Sequence, residues 1–149
     1  MKLRIEISDA LSEPEVIIRC AEIDGVIQKL EAYVRELNVV KLIFYKGAQE
    51  YFIPLDAIIF FETDQEKVYA HTAKDSYRVK YRLYELDTML PANFVRIAKS
   101  AIANTARIYS INRSLTSPYQ IKFTGSRKHI YVSRHYYGAL KNKMNDRSA

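Results

Sequence analysis

The chain has 149 residues, of which 48% are hydrophobic and 27% charged, enough for one globular domain or one domain with a small additional segment. Its net charge of +6 is uneven, because residues 1–40 carry five basic and eight acidic residues, whereas residues 88–145 carry ten basic residues and no carboxylate. The single cysteine and the lack of an apolar run of ~18 residues exclude a disulfide scaffold and a membrane helix, so we expect a cytoplasmic protein.

The first 40 residues predict a small β-β-α segment. Apolar residues alternate with polar ones over residues 2–7, which is the period of a half-buried strand, and residues 15–20 form a second short apolar run. Asp24 can cap a helix that ends near Leu37, because apolar residues recur there every three or four positions. This helix either packs on the two strands or serves as a partner surface, so we interpret residues 1–40 as a dimerisation or regulatory segment.

From Lys41 onwards the pattern is typical of strands. The turn-forming pairs Lys46-Gly47 and Lys74-Asp75 each separate two apolar runs and predict two hairpins. Residues 57–62 are almost continuously apolar, as in a strand that is buried on both faces. Residues 83–90 have helical spacing, and Pro91 ends that short helix.

Three further strands and a terminal helix complete the chain. Ser133 can cap this helix, which is predicted from Arg134 to about Met144. The strands are predicted over residues 107–111, 119–124 and 128–132.

Candidate catalytic and metal-ligating residues are sparse. The four glycines are scattered, so there is neither a phosphate-binding loop nor a dinucleotide fingerprint, and three distant histidines with one cysteine lack metal-site spacing. We therefore expect no enzyme activity, no cofactor and no metal. Most of the twelve tyrosines alternate along predicted strands, which suits cross-strand packing better than stacking on unpaired bases.

The carboxylate-free stretch 88–145 points to a polyanionic partner. Each carboxylate beside a phosphate backbone would weaken binding that is driven by counterion release, and an ordinary solvated surface mixes both charge signs. Nucleic acid is the partner that this pattern favours. The alternatives are a protein-interaction adaptor whose basic surface meets an acidic protein, and an RNA-binding module.

Four segments in a fixed order carry a family resemblance. They are Ile53–Glu62, Leu83–Leu86, Phe94-Val95-Arg96-Ile97-Ala98-Lys99-Ser100-Ala101-Ile102-Ala103-Asn104 and Ile130-Tyr131-Val132-Ser133-Arg134-His135-Tyr136-Tyr137. Together they resemble the motifs of the LytTR family of bacterial DNA-binding domains over about residues 41–144. Residues 1–40 lie outside the resemblance and are too few for the phosphoacceptor receiver domain that precedes many relatives.

The resemblance implies a mainly β fold, an elongated β-β-β arrangement of small antiparallel sheets with short helices, here preceded by the β-β-α segment. The DNA-binding domain would then be residues 41–149. The implied function is a sequence-specific transcription regulator that inserts loops into successive major grooves of direct-repeat promoter sites. The implied partners are double-stranded DNA, a second copy of the chain on two half-sites, and a small membrane protein of the kind that restrains some compact relatives.

The resemblance also locates the residues that would contact DNA. Ala98 stands where the family often has histidine or another polar residue, which leaves Lys99 as the expected reader of that loop. The expected DNA-binding residues lie after Glu62, in the next motif turn and at the start of the last helix: Gln65, Glu66, Lys67, Lys99, Ser100, Arg134 and His135. The expected phosphate contacts are Arg96, Arg107, Arg127 and Lys128.

Overall fold

The computed structural model describes residues 1–37 and 40–148, and its internal contacts divide the chain into two units, Met1–Val39 and Val40–Ala149. In the first unit, helix α1 spans Gly25–Leu37. The Asp24 carboxylate accepts hydrogen bonds of 3.0 Å from the amides of Val26 and Ile27, which confirms the predicted cap.

The prediction of two strands before α1 is wrong. Residues 1–24 contain no strand, and the apolar side chains meant for a core are exposed, Ile5 to 80% and Ile7 to 97%. A strand is stable only when a neighbour pairs its backbone groups, and neither segment has such a neighbour among the described residues. Cys20, expected within the second strand, is exposed as well.

The second unit contains a seven-stranded antiparallel sheet. Its strands are β1 (Phe44–Lys46), β2 (Gln49–Tyr51), β3 (Phe60–Asp64), β4 (Lys67–His71), β5 (Ser76–Val79), β6 (Phe94–Ala98) and β7 (Ala101–Asn104). The order across the sheet is β2-β1-β5-β4-β3-β7-β6. Both predicted hairpins are confirmed, and Gly47 provides the positive φ of 61° that the first turn requires.

A smaller sheet and two helices complete this unit. The sheet has the order β10-β9-β8, with β8 at Ile108–Asn112, β9 at Tyr119–Phe123 and β10 at His129–Val132. Helix α2 spans Leu83–Met89 and α3 spans Arg134–Ser148. The predicted mainly β class is thereby confirmed. In the described part of the chain, no helix has the length and apolar character needed to cross a membrane.

Two hydrophobic clusters lie against opposite faces of the large sheet. Ile58 and Phe61 pack in the first cluster with Leu86 of α2, whereas Ile59 and Phe60 pack in the second with the small sheet and α3. All four side chains are at most 3% exposed. Because successive side chains of a strand point to opposite faces, Phe60 and Phe61 of β3 face different clusters, and Ile58 and Ile59 just before the strand add one side chain to each.

Candidate nucleic-acid interface

Three loops meet at one end of the second unit. The amide of Thr63, near the end of β3, donates a 2.8 Å hydrogen bond to the carbonyl of Ser100 in the β6–β7 turn. The amide of Ser133, before α3, donates one of 2.8 Å to the carbonyl of Ile97 in β6. The structure therefore brings together the three segments expected to contact DNA. These segments, the three-loop end, are residues 65–67, 99–100 and 133–135.

The first loop is a strained two-residue hairpin turn. Asp64 pairs with Lys67 across the β3–β4 ladder, so that only Gln65 and Glu66 form the turn, with φ angles of 50° and 67°. Positive φ at both positions is the geometry of a tight hairpin, and it costs energy in residues other than glycine. Both side chains are exposed at the tip. The Glu66 carboxylate can accept a hydrogen bond from cytosine N4, but it repels phosphate.

The second loop is braced by Arg96. Its Nε donates to the carbonyl of Ala98 at 2.8 Å, its Nη2 donates to the carbonyl of Lys99, and its Nη1 lies 3.7 Å from Asp87 Oδ2 on α2. The β6–β7 ladder shifts register between Arg96 and Ala98, which turns the chain at this point. The guanidinium expected to contact phosphate therefore shapes the loop. Lys99 and Ser100 remain exposed at its tip.

The third loop is the capped start of α3. Ser133 is the cap that the sequence predicts, since its Oγ accepts a 3.3 Å hydrogen bond from the amide of His135. Arg134 and His135 are exposed. The Arg134 guanidinium lies 5.7 Å from the ring centre of Tyr119 and donates a 3.3 Å hydrogen bond to the carbonyl of Leu115. These contacts fix the direction of the Arg134 side chain, but neither partner is a carboxylate.

The other expected phosphate contacts lie at the far end of the small sheet. Val132, next to the three-loop end, pairs with Tyr119, whereas β9 and β10 meet beyond Phe123 in the turn that holds Arg127 and Lys128. Arg107 also belongs to that end, because its guanidinium donates to the Thr124 carbonyl at 3.3 Å. The structure does not bring these three residues to the loops, and Arg127 alone of them has no partner among the described residues.

Lys128 takes part in a contact between the two sheets. Its Nζ lies 3.1 Å from His71 Nδ1 and donates to the carbonyl of Asp75 at 2.5 Å, while His71 Nε2 lies 2.9 Å from Glu62 Oε1. The hydrogen bond with His71 lowers the pKa of Glu62, against the opposing effect of burial. Burial lowers the pKa of Lys128. The sequence gives no sign of this cluster, because its members are far apart in the chain.

Half of the basic residues in 88–145 have no side-chain partner within the unit. Arg96, Arg107 and Lys128 bond within the unit, and Arg113 and Arg134 lie over the rings of Tyr137 and Tyr119. In the described part of the chain, the side chains of the others form no hydrogen bond, ion pair or ring contact: Lys99, Lys122, Arg127, Lys141 and Lys143.

Some motif residues serve the fold. The buried Asn104 side chain donates to the Ile58 carbonyl at 2.9 Å and accepts from Asn93 Nδ2 at 2.8 Å and from the Ala106 amide at 3.0 Å. All of its bonds end within the unit, so it holds the end of β7 and does not reach DNA. The expected tyrosine packing holds at half-buried Tyr69, Tyr77 and Tyr119, but Tyr109 and Tyr131 are 77% and 50% exposed.

Comparison with known proteins gives a consistent set of relatives. A family model described as the LytTr DNA-binding domain matches residues 48–145. An uncharacterized HTH-type transcriptional regulator of Staphylococcus aureus strain MSSA476 is 28% identical over 147 residues, 97% of this chain and 98% of the relative. Its counterpart in strain MRSA252 is 27% identical over the same shares.

The fold matches a solved structure as well. A LytTr DNA-binding domain from Bacillus cereus aligns with a TM-score of 0.65 at 20% identity, over 71% of this chain and 97% of that one. No two of α1–α3 follow each other across a short turn in the described residues, so the helix-turn-helix in the relatives' names has no counterpart here. The predicted resemblance is confirmed, and the chain belongs to the LytTr DNA-binding domain family.

Proposed function

We propose that this protein is a sequence-specific transcription regulator that reads double-stranded DNA with the three-loop end. The observation that carries the proposal is the convergence of residues 65–67, 99–100 and 133–135, held by the bonds from Thr63 to Ser100 and from Ser133 to Ile97. The names of the Staphylococcus aureus relatives support the regulatory role. In this proposal residues 41–149 are the DNA-binding domain and residues 1–40 the dimerisation or regulatory segment.

Each loop offers chemistry that suits the major groove. Arginine pairs bidentately with guanine, histidine donates to its N7 or O6, and lysine reaches the same acceptors, so that Arg134, His135 and Lys99 are the proposed base readers. The opening turn of α3, at the positive end of the helix dipole, also suits a phosphate oxygen. Gln65, Glu66 and Lys67 at the first tip, with Ser100 beside Lys99, complete the proposed contact set.

The phosphate contacts follow from the cations without partners. The charged side-chain groups of five residues form no hydrogen bond, ion pair or ring contact within the described residues: Lys99, Lys122, Arg127, Lys141 and Lys143. Those of Arg96, Arg107 and Lys128 are held by carbonyl oxygens. We therefore retain Arg127 among the expected phosphate contacts and assign the other three to internal bracing. Because Arg127 lies a strand length from the loops, it would meet the backbone beside the groove that the loops enter.

The remaining elements of the proposal concern the operator and the partners. The three loops enter successive major grooves of a direct repeat, and two copies of the chain occupy the two half-sites. A small membrane protein that restrains the regulator is the further partner that the family resemblance suggests. With DNA as its target, the protein acts in the cytoplasm of a bacterium.

The test starts from a random duplex pool, from which the protein selects its own site. We expect selected duplexes to contain a direct repeat and to bind far more tightly than scrambled duplex or RNA of the same sequence. Five or six neutralised phosphates would make the logarithm of the affinity fall against the logarithm of salt with a slope of about −5. Failure to enrich any duplex, with a flat salt response, would favour the adaptor, and tighter binding of the RNA would favour the RNA-binding module. An enriched inverted repeat would refute the direct-repeat arrangement alone.

A further inference from the structure

We propose that α1 pairs with α1 of a second copy of this chain, with the two helices antiparallel. The contact is a seam of four apolar residues, Val26, Leu30, Tyr33 and Leu37, flanked by Lys29 and Glu36. This proposal rests on the proposed function, in which two copies act together, and it specifies the surface and the orientation that join them.

The seam is apolar and largely exposed, with only Leu30 half-buried. The four residues are spaced by four, three and four positions, which places them on one stripe of the helix. None of the helix residues is buried, and Val26, Tyr33 and Leu37 are 54%, 62% and 67% exposed. A helix of 13 residues is marginal in water unless its apolar face is packed. The seam therefore favours a helix that is covered by a partner.

The charges beside the seam favour a second copy as that partner. Lys29 and Glu36 flank the same side, seven residues and so about 10 Å apart along the axis, too far to pair with each other. Neither has a partner among the described residues. In an antiparallel pair, Lys29 of each copy lies opposite Glu36 of the other, which gives two ion pairs by symmetry. In a parallel pair, Lys29 would face Val34 of the other copy, and the position opposite Glu36 would lie beyond the end of α1. Only the antiparallel orientation forms both ion pairs within α1.

On the face of α1 away from the seam, the charged residues pair within the helix. Arg35 Nη2 lies 2.7 Å from Glu31 Oε1, one turn away on the same helix. Both side chains are well exposed, at 77% and 48%. Glu31 and Arg35 pair with each other, and they provide a control pair with one acidic and one basic residue, as Lys29 and Glu36 have.

The expected dimer is weak. Two helices of 13 residues are only about 20 Å long and bury less than the ~800 Å² per partner of a standard interface. We therefore expect dissociation in the micromolar range. Such a dimer is sensitive to small changes in charge at its edge.

The test is sedimentation equilibrium of the full-length chain and of charge-reversed variants. Lys29→Glu and Glu36→Lys should each raise the dimer dissociation constant about tenfold, because two attractive contacts become repulsive. The double variant K29E/E36K should restore the wild-type constant. The matched outer-face variant E31K/R35E should leave it unchanged, and circular dichroism verifies the helix content of all four.

Three outcomes would overturn the inference: a wild-type chain that stays monomeric up to about 100 µM, single reversals without effect, or a double variant that stays as weak as the single ones. Anisotropy on a duplex with one selected half-site, measured on the same samples, separates this inference from the proposed function. A wild-type chain that stays monomeric but still binds the half-site would refute the helix pairing alone. An intact dimer that binds no duplex would refute the proposed function instead.

Discussion

The backbone amide of Ser133 donates a 2.8 Å hydrogen bond to the carbonyl oxygen of Ile97, and this bond ties the start of α3 to the last residues of β6. The bond from Thr63 to Ser100 ties the first loop to the second in the same way. Because both bonds join backbone atoms, substitutions of exposed side chains leave the loop positions unchanged. A loss of DNA binding on such a substitution therefore reports the contact of that side chain.

Base readers and phosphate contacts should respond differently to alanine substitution. Lys99→Ala or His135→Ala should cost about 1–3 kcal/mol on the selected duplex and much less on scrambled duplex. Lys122→Ala and Lys141→Ala, away from the loops, should weaken both duplexes about equally. Fluorescence anisotropy on both duplexes measures this difference. Equal losses on both duplexes for all four variants would mean that the loops hold only the DNA backbone.

Arg96 should act through the shape of its loop. Arg96→Lys keeps the charge but loses the fork that binds the Ala98 and Lys99 carbonyls, so we expect about a tenfold loss on the selected duplex. Scrambled duplex should bind nearly as before. Arg127→Lys, at an exposed arginine without a partner, is the matched control and should change neither affinity. If Arg96 instead contacts phosphate, Arg96→Lys will retain binding and Arg96→Met will weaken both duplexes equally.

The β3–β4 turn should become more stable with residues that favour positive φ. Replacing Gln65 by asparagine and Glu66 by glycine relieves the cost of φ angles of 50° and 67°. We expect the double variant to raise the free energy of unfolding by about 1 kcal/mol in urea titrations. Lys74→Asn, at an exposed turn residue without a positive φ, is the comparison and should leave the free energy of unfolding unchanged. An unchanged or lower free energy at residues 65–66 would show that the turn is not strained.

Glu62 should stabilise the folded second unit at neutral pH and lose this effect in acid. Its folded-state pKa is lowered from 4.5, first by the hydrogen bond with His71, so its contribution is present above 4.5 and is lost as the pH falls through the lowered value. The difference in Tm between wild type and Glu62→Gln should therefore shrink as the pH falls from 7 towards 3. Glu50→Gln, at an exposed carboxylate, should show no such trend. A difference independent of pH would contradict the assigned role.

How far the sequence predicts this protein depends on the range of the interactions. The Asp24 cap, the Gly47 turn and the helix before Pro91 are local, and each follows from residues a few positions apart. The prediction of two strands before α1 failed because alternation defines an apolar face but does not provide a neighbouring strand to pair with. The bonds of Lys128 with His71 join residues 57 positions apart, and no pattern in either segment indicates them.

The segment Phe94–Asn104 also shows that sequence patterns do not reveal contacts between distant parts of the chain. Phe94–Asn104 is one of the four segments that carry the family resemblance, and its residues divide between proposed base contacts, loop bracing and core packing. Exposed Lys99 and buried Asn104 lie five positions apart and differ completely in role. Arg96 resembled a phosphate contact because its charge is visible in the sequence, whereas the carbonyl oxygens that hold it are visible only in the fold.

The apolar run at the start of β3 also determines how the second unit unfolds. Ile58 and Phe61 belong to one cluster and Ile59 and Phe60 to the other. This one backbone segment therefore contributes side chains to both clusters. Neither cluster can open without displacing the strand on which the other depends. The unit therefore melts as a single cooperative block, and amide protons in both clusters exchange with solvent only through global unfolding.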